Sequence, residues 1–217
     1  MEKASEASRD CPLCPRLVAF RSANRRNEPS WYNGAVASFG QEHVRTARLL
    51  IVGLAPGLRG ANRTGRPFTG DFAGDLLYET LLGFDFARGN YQARPDDGLV
   101  LVDCLISNAV RCVPPENKPT PAEIATCRPF LAERIATMSR LAAIVVLGRI
   151  AHDSTLSALG ARKANFPFAH GARHAVKPGL TLFDSFHCSR YNTNTRKLTP
   201  EMFRAVFSAV RDHLRTL

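Results

Sequence analysis

The apolar positions of this chain fall into short runs separated by loops rich in glycine and proline. Leu49-Leu50-Ile51-Val52 is a continuous apolar run closed by Gly53, the pattern of a strand buried on both faces. Residues 142–147 repeat it and close at Gly148, and residues 180–184 form a third such run. The segment DGLVLVDCLISNAV, from Asp97, holds a strand and then a turn. Elsewhere the period lengthens to that of a helix. Leu76, Leu77, Thr80 and Leu81 share one side of a helix over residues 72–82. In residues 121–138 proline comes first, and Ile124, Cys127, Leu131 and Ile135 follow at spacings of three and four, which predicts another helix. A helix follows Gly148 through His152, and residues 200–217 form an amphipathic C-terminal one. Residues 11–26 read as a cysteine-rich turn entering a short helix, and residues 28–48 as irregular. Strands alternating with helices predict an α/β fold, a parallel sheet covered on both faces. One domain over residues 1–217 is expected, with the polar residues 1–10 a frayed tail.

Three loops leave strands and open on one edge of such a sheet, where α/β proteins place ligands. The first, GLAPGLRGANRTGRPFTGD over residues 53–71, combines Gly and Pro with Arg59, Arg63 and Arg66, an aromatic, Phe68, and a carboxylate, Asp71. Backbone N–H groups, positive charge and one flat apolar face suit a site that grips phosphates and stacks on a ring. The glycine spacing fits neither a Rossmann fingerprint nor a P-loop. The second loop is Ser107-Asn108-Ala109-Val110-Arg111, and the third begins His187-Cys188-Ser189-Arg190-Tyr191. The Asn108 amide can both donate to and accept from the edge of a planar base. His187 can donate to a carbonyl that gains negative charge, and Asp71 can orient a water. Local pattern alone gives Asp71 another task, as N-cap of the helix that starts at Phe72.

The net charge of +10 rests mainly on arginine, with only five lysines. That suits a polyanionic partner, and it equally suits a GC-rich codon bias, so charge by itself does not assign nucleic-acid binding. There is no run of eighteen apolar residues and no apolar signal core near the start. No membrane partner and a cytoplasmic, reducing setting are therefore expected, at the nucleoid in a bacterium. In that setting the six cysteines suggest metal binding or buried thiols. Cys11 and Cys14 form a C-x2-C pair, and fourteen residues separate Cys112 from Cys127. Four thiolates of this kind bind zinc or a [4Fe–4S] cluster. Cys112 and Cys127 also read as core thiols, which would leave only the N-terminal pair reactive. Cys104 and Cys188 read as structural.

Together the motifs GLAPG…NRTGRPFTGD, SNAVRC and HCSRYN, with the cysteine arrangement, resemble the uracil-DNA glycosylase superfamily, family 5 iron–sulfur branch. The resemblance spans residues 11–214. It implies a three-layer α/β/α fold with a central four-stranded parallel sheet, and hydrolysis of the N-glycosidic bond of a base flipped out of DNA. Uracil is the implied base, with hypoxanthine and other deaminated bases as further substrates. Relatives carry a carboxylate at Leu54 or at Ala55, and apolar residues at both mark family 5. On that likeness Asp71 acts on water or the sugar cation, Phe68 stacks on the base, Asn108 reads it and His187 stands near its O2. Gly53 and Ala55 line the base site. Cys11, Cys14, Cys112 and Cys127 hold a [4Fe–4S] cluster. Arg63, Arg66, Ser189, Arg190 and Tyr191 face DNA, with Arg190-Tyr191 placed to fill the gap left in the duplex. Double-stranded and single-stranded DNA containing deaminated bases is the implied partner of a monomer. Two rival readings stand beside it: a non-catalytic nucleic-acid-binding protein with a four-cysteine zinc site, and an iron–sulfur redox protein.

Overall fold

The structure, a computed structural model, describes residues 6–217. Its centre is a five-stranded sheet. Strands β1 (Leu49–Gly53), β4 (Cys104–Asn108), β5 (Ala143–Leu147) and β7 (Leu180–Ser185) run parallel, and β6 (Arg173–Lys177) adds an antiparallel edge beside β7, in the order β4-β1-β5-β7-β6. The four expected parallel strands are thus present, with one further strand. A two-residue hairpin, β2 (Ala87–Arg88) with β3 (Val100–Leu101), stands apart.

Strand side chains alternate between two cores, which is why β1 and β5 are apolar throughout. Leu49, Ile51, Ile106, Val145 and Phe183 face one core, together with α3 (Phe72–Gly83) and α7 (Pro200–Arg215), through Leu77, Leu81, Phe203 and Phe207. Leu50, Val52, Leu105, Ile144 and Leu182 face the other, with α4 (Pro121–Thr137) and α5 (Arg149–Ala158), through Leu131 and Leu156. The result is the three-layer α/β/α arrangement. Helix α4 opens with a full capping box, Thr120 Oγ1 accepting from Glu123 N–H and the Glu123 carboxylate from Thr120 N–H, which fixes where the chain leaves the proline-rich connection VPPENKPTP of residues 113–121. Among the described residues no helix is long and apolar enough to cross a membrane.

A third, smaller core joins α1 (Pro15–Asn27), through Leu17, to Ala35, Val110 and the four candidate cysteines. It corrects the expectation of a frayed tail for the part of residues 1–10 that is described. Ala7 is buried. Glu6 lies 2.7 Å from the Arg134 guanidinium and 3.4 Å from that of Arg111. Two buried cations draw the acidic residue inward, so the chain is anchored from residue 6.

Because β1 has β4 on one side and β5 on the other, successive connections leave it in opposite directions. A crevice opens beyond its carboxyl end, where neighbouring loops diverge. Gly53 lies in register with Asn108 at that edge, so the first two loops start side by side.

Candidate active site

The three loops close around a cavity of about 600 Å³. Leu54, Ala55, Phe68, Asp71, Asn108 and His187 line it, with Arg59, Ser189 and Arg190 at its mouth. Asp71 is the one acidic residue among its described lining residues.

Several local choices in the first loop follow from what must fit there. A Cβ on Gly53 would sit 2.5 Å from Asn108 Oδ1 and 2.6 Å from the Phe68 ring. A Cβ on Gly60 would collide with the Asp71 carboxylate. Both glycines therefore leave room for the side chains of the site. Between them and α3 lies a short helix, α2 (Ala61–Thr64), within what the pattern reads as loop. Phe68 adopts φ +52°, a costly left-handed conformation for an aromatic residue. Its carbonyl accepts from Tyr91 Oη at 3.3 Å, and the Pro67 carbonyl accepts from Tyr78 Oη at 2.6 Å. The ring is thereby held as a wall of the cavity, stacked near His187 with centroids 6.0 Å apart and planes 28° from parallel.

Asp71 holds both positions foreseen for it. It is the N-cap of α3, with Oδ1 accepting from Gly74 N–H at 3.2 Å, while Oδ2 faces Gly57 and Gly60. Burial raises its pKa against the opposing pull of the Gly74 N–H. Asn108 is buried, and its Oδ1 has no hydrogen-bond partner among the described groups. A buried carbonyl oxygen without a donor is costly, and here it belongs to a cavity-lining side chain. Burial pushes His187 down to about 4, so its imidazole is neutral at physiological pH. Cys188 is buried and its Sγ donates to the Ala73 carbonyl, 3.4 Å away, consistent with a structural thiol. Cys104 likewise is buried and donates to the Phe86 carbonyl.

The arginines divide. Arg63 is exposed on α2 and spans the loop, donating to the Arg59 and Gly70 carbonyls. Arg190 is exposed and lies 5.4 Å above the Phe72 ring. Tyr191 is 74% exposed, the most protruding large apolar side chain among the described residues. Ser189 caps the short helix α6 (Arg190–Asn194), where the pattern placed only a loop. Arg66 departs from its expected place on the DNA face. It is 5% exposed and makes a two-pronged pair with Asp97 at 2.8 Å for each bond, with Nε donating to Thr69 Oγ1. Burial alone would raise the Asp97 pKa, yet Arg66 and the N–H groups of Gln92 and Leu99 hold it well below the usual range. Arg66 is thus an internal clamp on the loop, turned away from any phosphate. Asn117, from the proline-rich connection, also lines the cavity; its φ of +56° is the one local hint, and no motif marked it.

Cys11, Cys14, Cys112 and Cys127 converge in the third core. Arg21 Nη1 lies 3.7 Å from Cys112 Sγ, and the Arg111 N–H donates to Cys127 Sγ at 3.3 Å. Burial makes the Cys112 and Cys127 thiols resist ionisation, pushing Cys112 to about 12 and Cys127 to about 11. The same segment reaches the cavity: Ala109 N–H and Val110 N–H donate to the Gly53 and Leu54 carbonyls at 2.9 Å each. The short stretch from Asn108 to Cys112 thus joins the cavity to this centre.

Residues 39–211 match the family model of the uracil DNA glycosylase superfamily. The chain is 44% identical over 202 residues to the type-5 uracil-DNA glycosylase of Thermus thermophilus, covering 90% of each chain. It is 36% identical to that of Pyrobaculum aerophilum over 91% of this chain and 86% of the relative. The type-4 uracil-DNA glycosylase of Sulfurisphaera tokodaii is 30% identical over 95% of this chain and 83% of its own. With its sheet order, its three-loop cavity and this similarity along nearly its whole length, the chain belongs to the uracil DNA glycosylase superfamily, on the side of its type-5 enzymes.

Proposed function

We propose that this protein excises uracil from DNA by hydrolysing its N-glycosidic bond, without cutting the DNA strand itself. The relatives named above carry uracil-DNA glycosylase in their names. The observation that carries the proposal is the unpartnered Asn108 Oδ1 in a cavity walled by Phe68 and His187. It awaits an N–H donor, and a flipped uracil presents one on its Watson–Crick edge.

Phe68 offers the base a flat apolar face. As the C1′–N1 bond breaks, the electron pair moves onto the base and the sugar gains oxocarbenium character. His187, being neutral, stabilises the base anion by hydrogen bonding and keeps its proton. Asp71, the lone carboxylate of the lining, faces the sugar side with Oδ2. Water adds at C1′ and its proton passes to Asp71. Ala55 leaves unfilled the volume that a side-chain carboxylate would take, which supports acceptance of hypoxanthine as well. Arg63, Arg190 and Ser189 contact phosphates, and Tyr191 enters the stack where the nucleotide has left. Duplex and single-stranded DNA both fit an open cavity mouth.

The four cysteines suit a [4Fe–4S] cluster. The donor set is all sulfur, and N–H groups of Arg21 and Arg111 point at two of the sulfurs. A single zinc ion would draw thiolates to within ~3.8 Å of one another. Among the described residues no three of the cysteine sulfurs all lie within 4.8 Å of one another. A polynuclear cluster takes the wider spacing. It supplies cross-linking, tying α1 and α4 to the segment that carries Asn108.

Incubation with a uracil-containing duplex, then hot alkali, tests the activity. Strand breaks at the uracil that vanish in Asp71→Asn are expected. An intact strand with the wild-type protein would overturn the proposal. Broad absorbance near ~400 nm with four irons per chain is expected of the purified protein; a colourless zinc protein would remove the cluster.

A further inference from the structure

The main chain of the His187 loop is fastened by two side chains that lie outside the catalytic cavity. On the downstream side Asn192 Nδ2 donates to the His187 carbonyl at 2.8 Å. On the upstream side His170 Nδ1 accepts from the Phe186 N–H at 3.1 Å, and its ring stacks on Phe186 with centroids 5.0 Å apart and planes 17° from parallel. Lys197 Nζ also lies 5.0 Å over the Phe186 ring.

Residues 166–172 form a strap over the end of β7, and Asp184 holds it there. Asp184 Oδ2 accepts from Ala169 N–H, its carbonyl from Gly171 N–H at 2.8 Å, and its own N–H donates to the Ala172 carbonyl. His152 reaches the same strap. Its Nε2 lies 2.9 Å from the Phe166 carbonyl and its Nδ1 lies 2.6 Å from Asp184 Oδ1. Both partners are acceptors, an arrangement that favours the protonated imidazolium and raises the His152 pKa. His174 Nε2 completes the group at 3.1 Å from Asp184 Oδ2. Although these three residues have metal-ligand chemistry, hydrogen bonds already use the ring nitrogens and oxygens that would bind an ion. Their task is to pin the strap, and the strap presents His170.

We propose that His170 is a positioning residue for His187: its neutral ring, by accepting the Phe186 N–H, fixes the peptide that aims His187 at the base. The inference rests on the glycosylase reading. A proton on Nδ1 would remove the acceptor and free that peptide. Burial keeps the ring neutral, while Asp184 and a backbone hydrogen bond with Met202 favour the proton. The groups packed against its partners are His174, bonded to Asp184, Lys197, over the Phe186 ring, and Arg149 and His187, which line the small cavity that Phe186 also lines.

Two variants separate the acceptor from the bulk. His170→Asn keeps an acceptor that cannot be protonated; His170→Leu has none. Single-turnover cleavage at saturating enzyme should fall about 10–100-fold in the Leu variant, with DNA affinity unchanged. The Phe186 amide should exchange faster with solvent. The Asn variant should recover the rate and the slow exchange of the Phe186 amide, because its side-chain oxygen restores the acceptor. Leu and Asn variants with equal rates, or a Leu variant that loses affinity and keeps its rate, would overturn the proposal. Should the Leu variant fail to fold, the smaller His170→Ala takes its place, and an Ala variant as fast as the Asn variant sinks the proposal. A wild-type protein that leaves uracil in place would instead remove the glycosylase reading, while the amide exchange still reports on the His170 contact.

Discussion

Asp71 gives one carboxylate oxygen to a helix N–H and turns the other toward the glycine loop, so the two tasks can be separated by mutation. Asparagine caps about as well as aspartate, whereas alanine costs about 1 kcal/mol. Asp71→Asn should therefore keep its melting temperature and lose about 10²–10⁴-fold in single-turnover cleavage. Asp71→Ala should lose the same activity and stability besides. Wild-type activity in the Asn variant would return Asp71 to a cap alone. Gly60→Ala asks the same question from outside, since the added methyl would displace the carboxylate; the fold should persist while cleavage falls. Individual residues differ in how far sequence reveals them. Phe68, Asp71, Asn108 and His187 stand at strand exits, where chemistry is expected. Arg66 looked like Arg63, because the carboxylate that buries it lies 31 positions away. His170 carries no local signal, since it acts on a peptide 16 positions further on.

Among the elements, the parallel strands were legible from short, mostly apolar runs and the long helices from apolar residues at spacings of three and four, because each covers a core. β6 was not. Its residues alternate between exposed and half-buried with none fully buried, so an edge strand of RHAVK resembles a loop. Helices α2 and α6, at four and five residues, are too short for periodicity. The strap and its pins make an element-scale prediction. For His152, burial opposes protonation, but Asp184 and the Phe166 carbonyl raise the folded pKa above its ordinary value. Its contribution to stability is then complete below the unfolded value of about 6.5 and is lost as pH rises through the higher folded value. Melting temperature followed across that window should decline with pH, and the decline should flatten in His152→Gln. An unchanged slope would mean that His152 is neutral in the fold. The Arg66–Asp97 clamp is a separate case. Removing one partner strands a buried charge, so Asp97→Asn should cost about 3–5 kcal/mol in denaturant unfolding.

At the scale of the whole molecule, the exposed Arg59, Arg63 and Arg190 stand on the loops that form the cavity. Removing one phosphate-binding cation should reduce the salt dependence of DNA binding by about 0.9 in the slope of log affinity against log salt. Arg63→Ala and Arg190→Ala should each do so. Arg66→Ala should act through unfolding and leave that slope unchanged, because its guanidinium reaches no phosphate. Fold class and site location were legible in the sequence because strand exits and motifs coincide. The third core was only half legible. Its cysteines announce themselves, but the charges beneath them do not, since Glu6 meets Arg134 from 128 positions away. That distant ion pair makes the two ends of a shortened protein unequal. Trimming to Cys11 would leave every cysteine in place, yet it would withdraw Glu6 from two buried guanidinium groups. The shortened chain should lose stability near the Asn108 segment first, so it is a poor starting point for crystallisation.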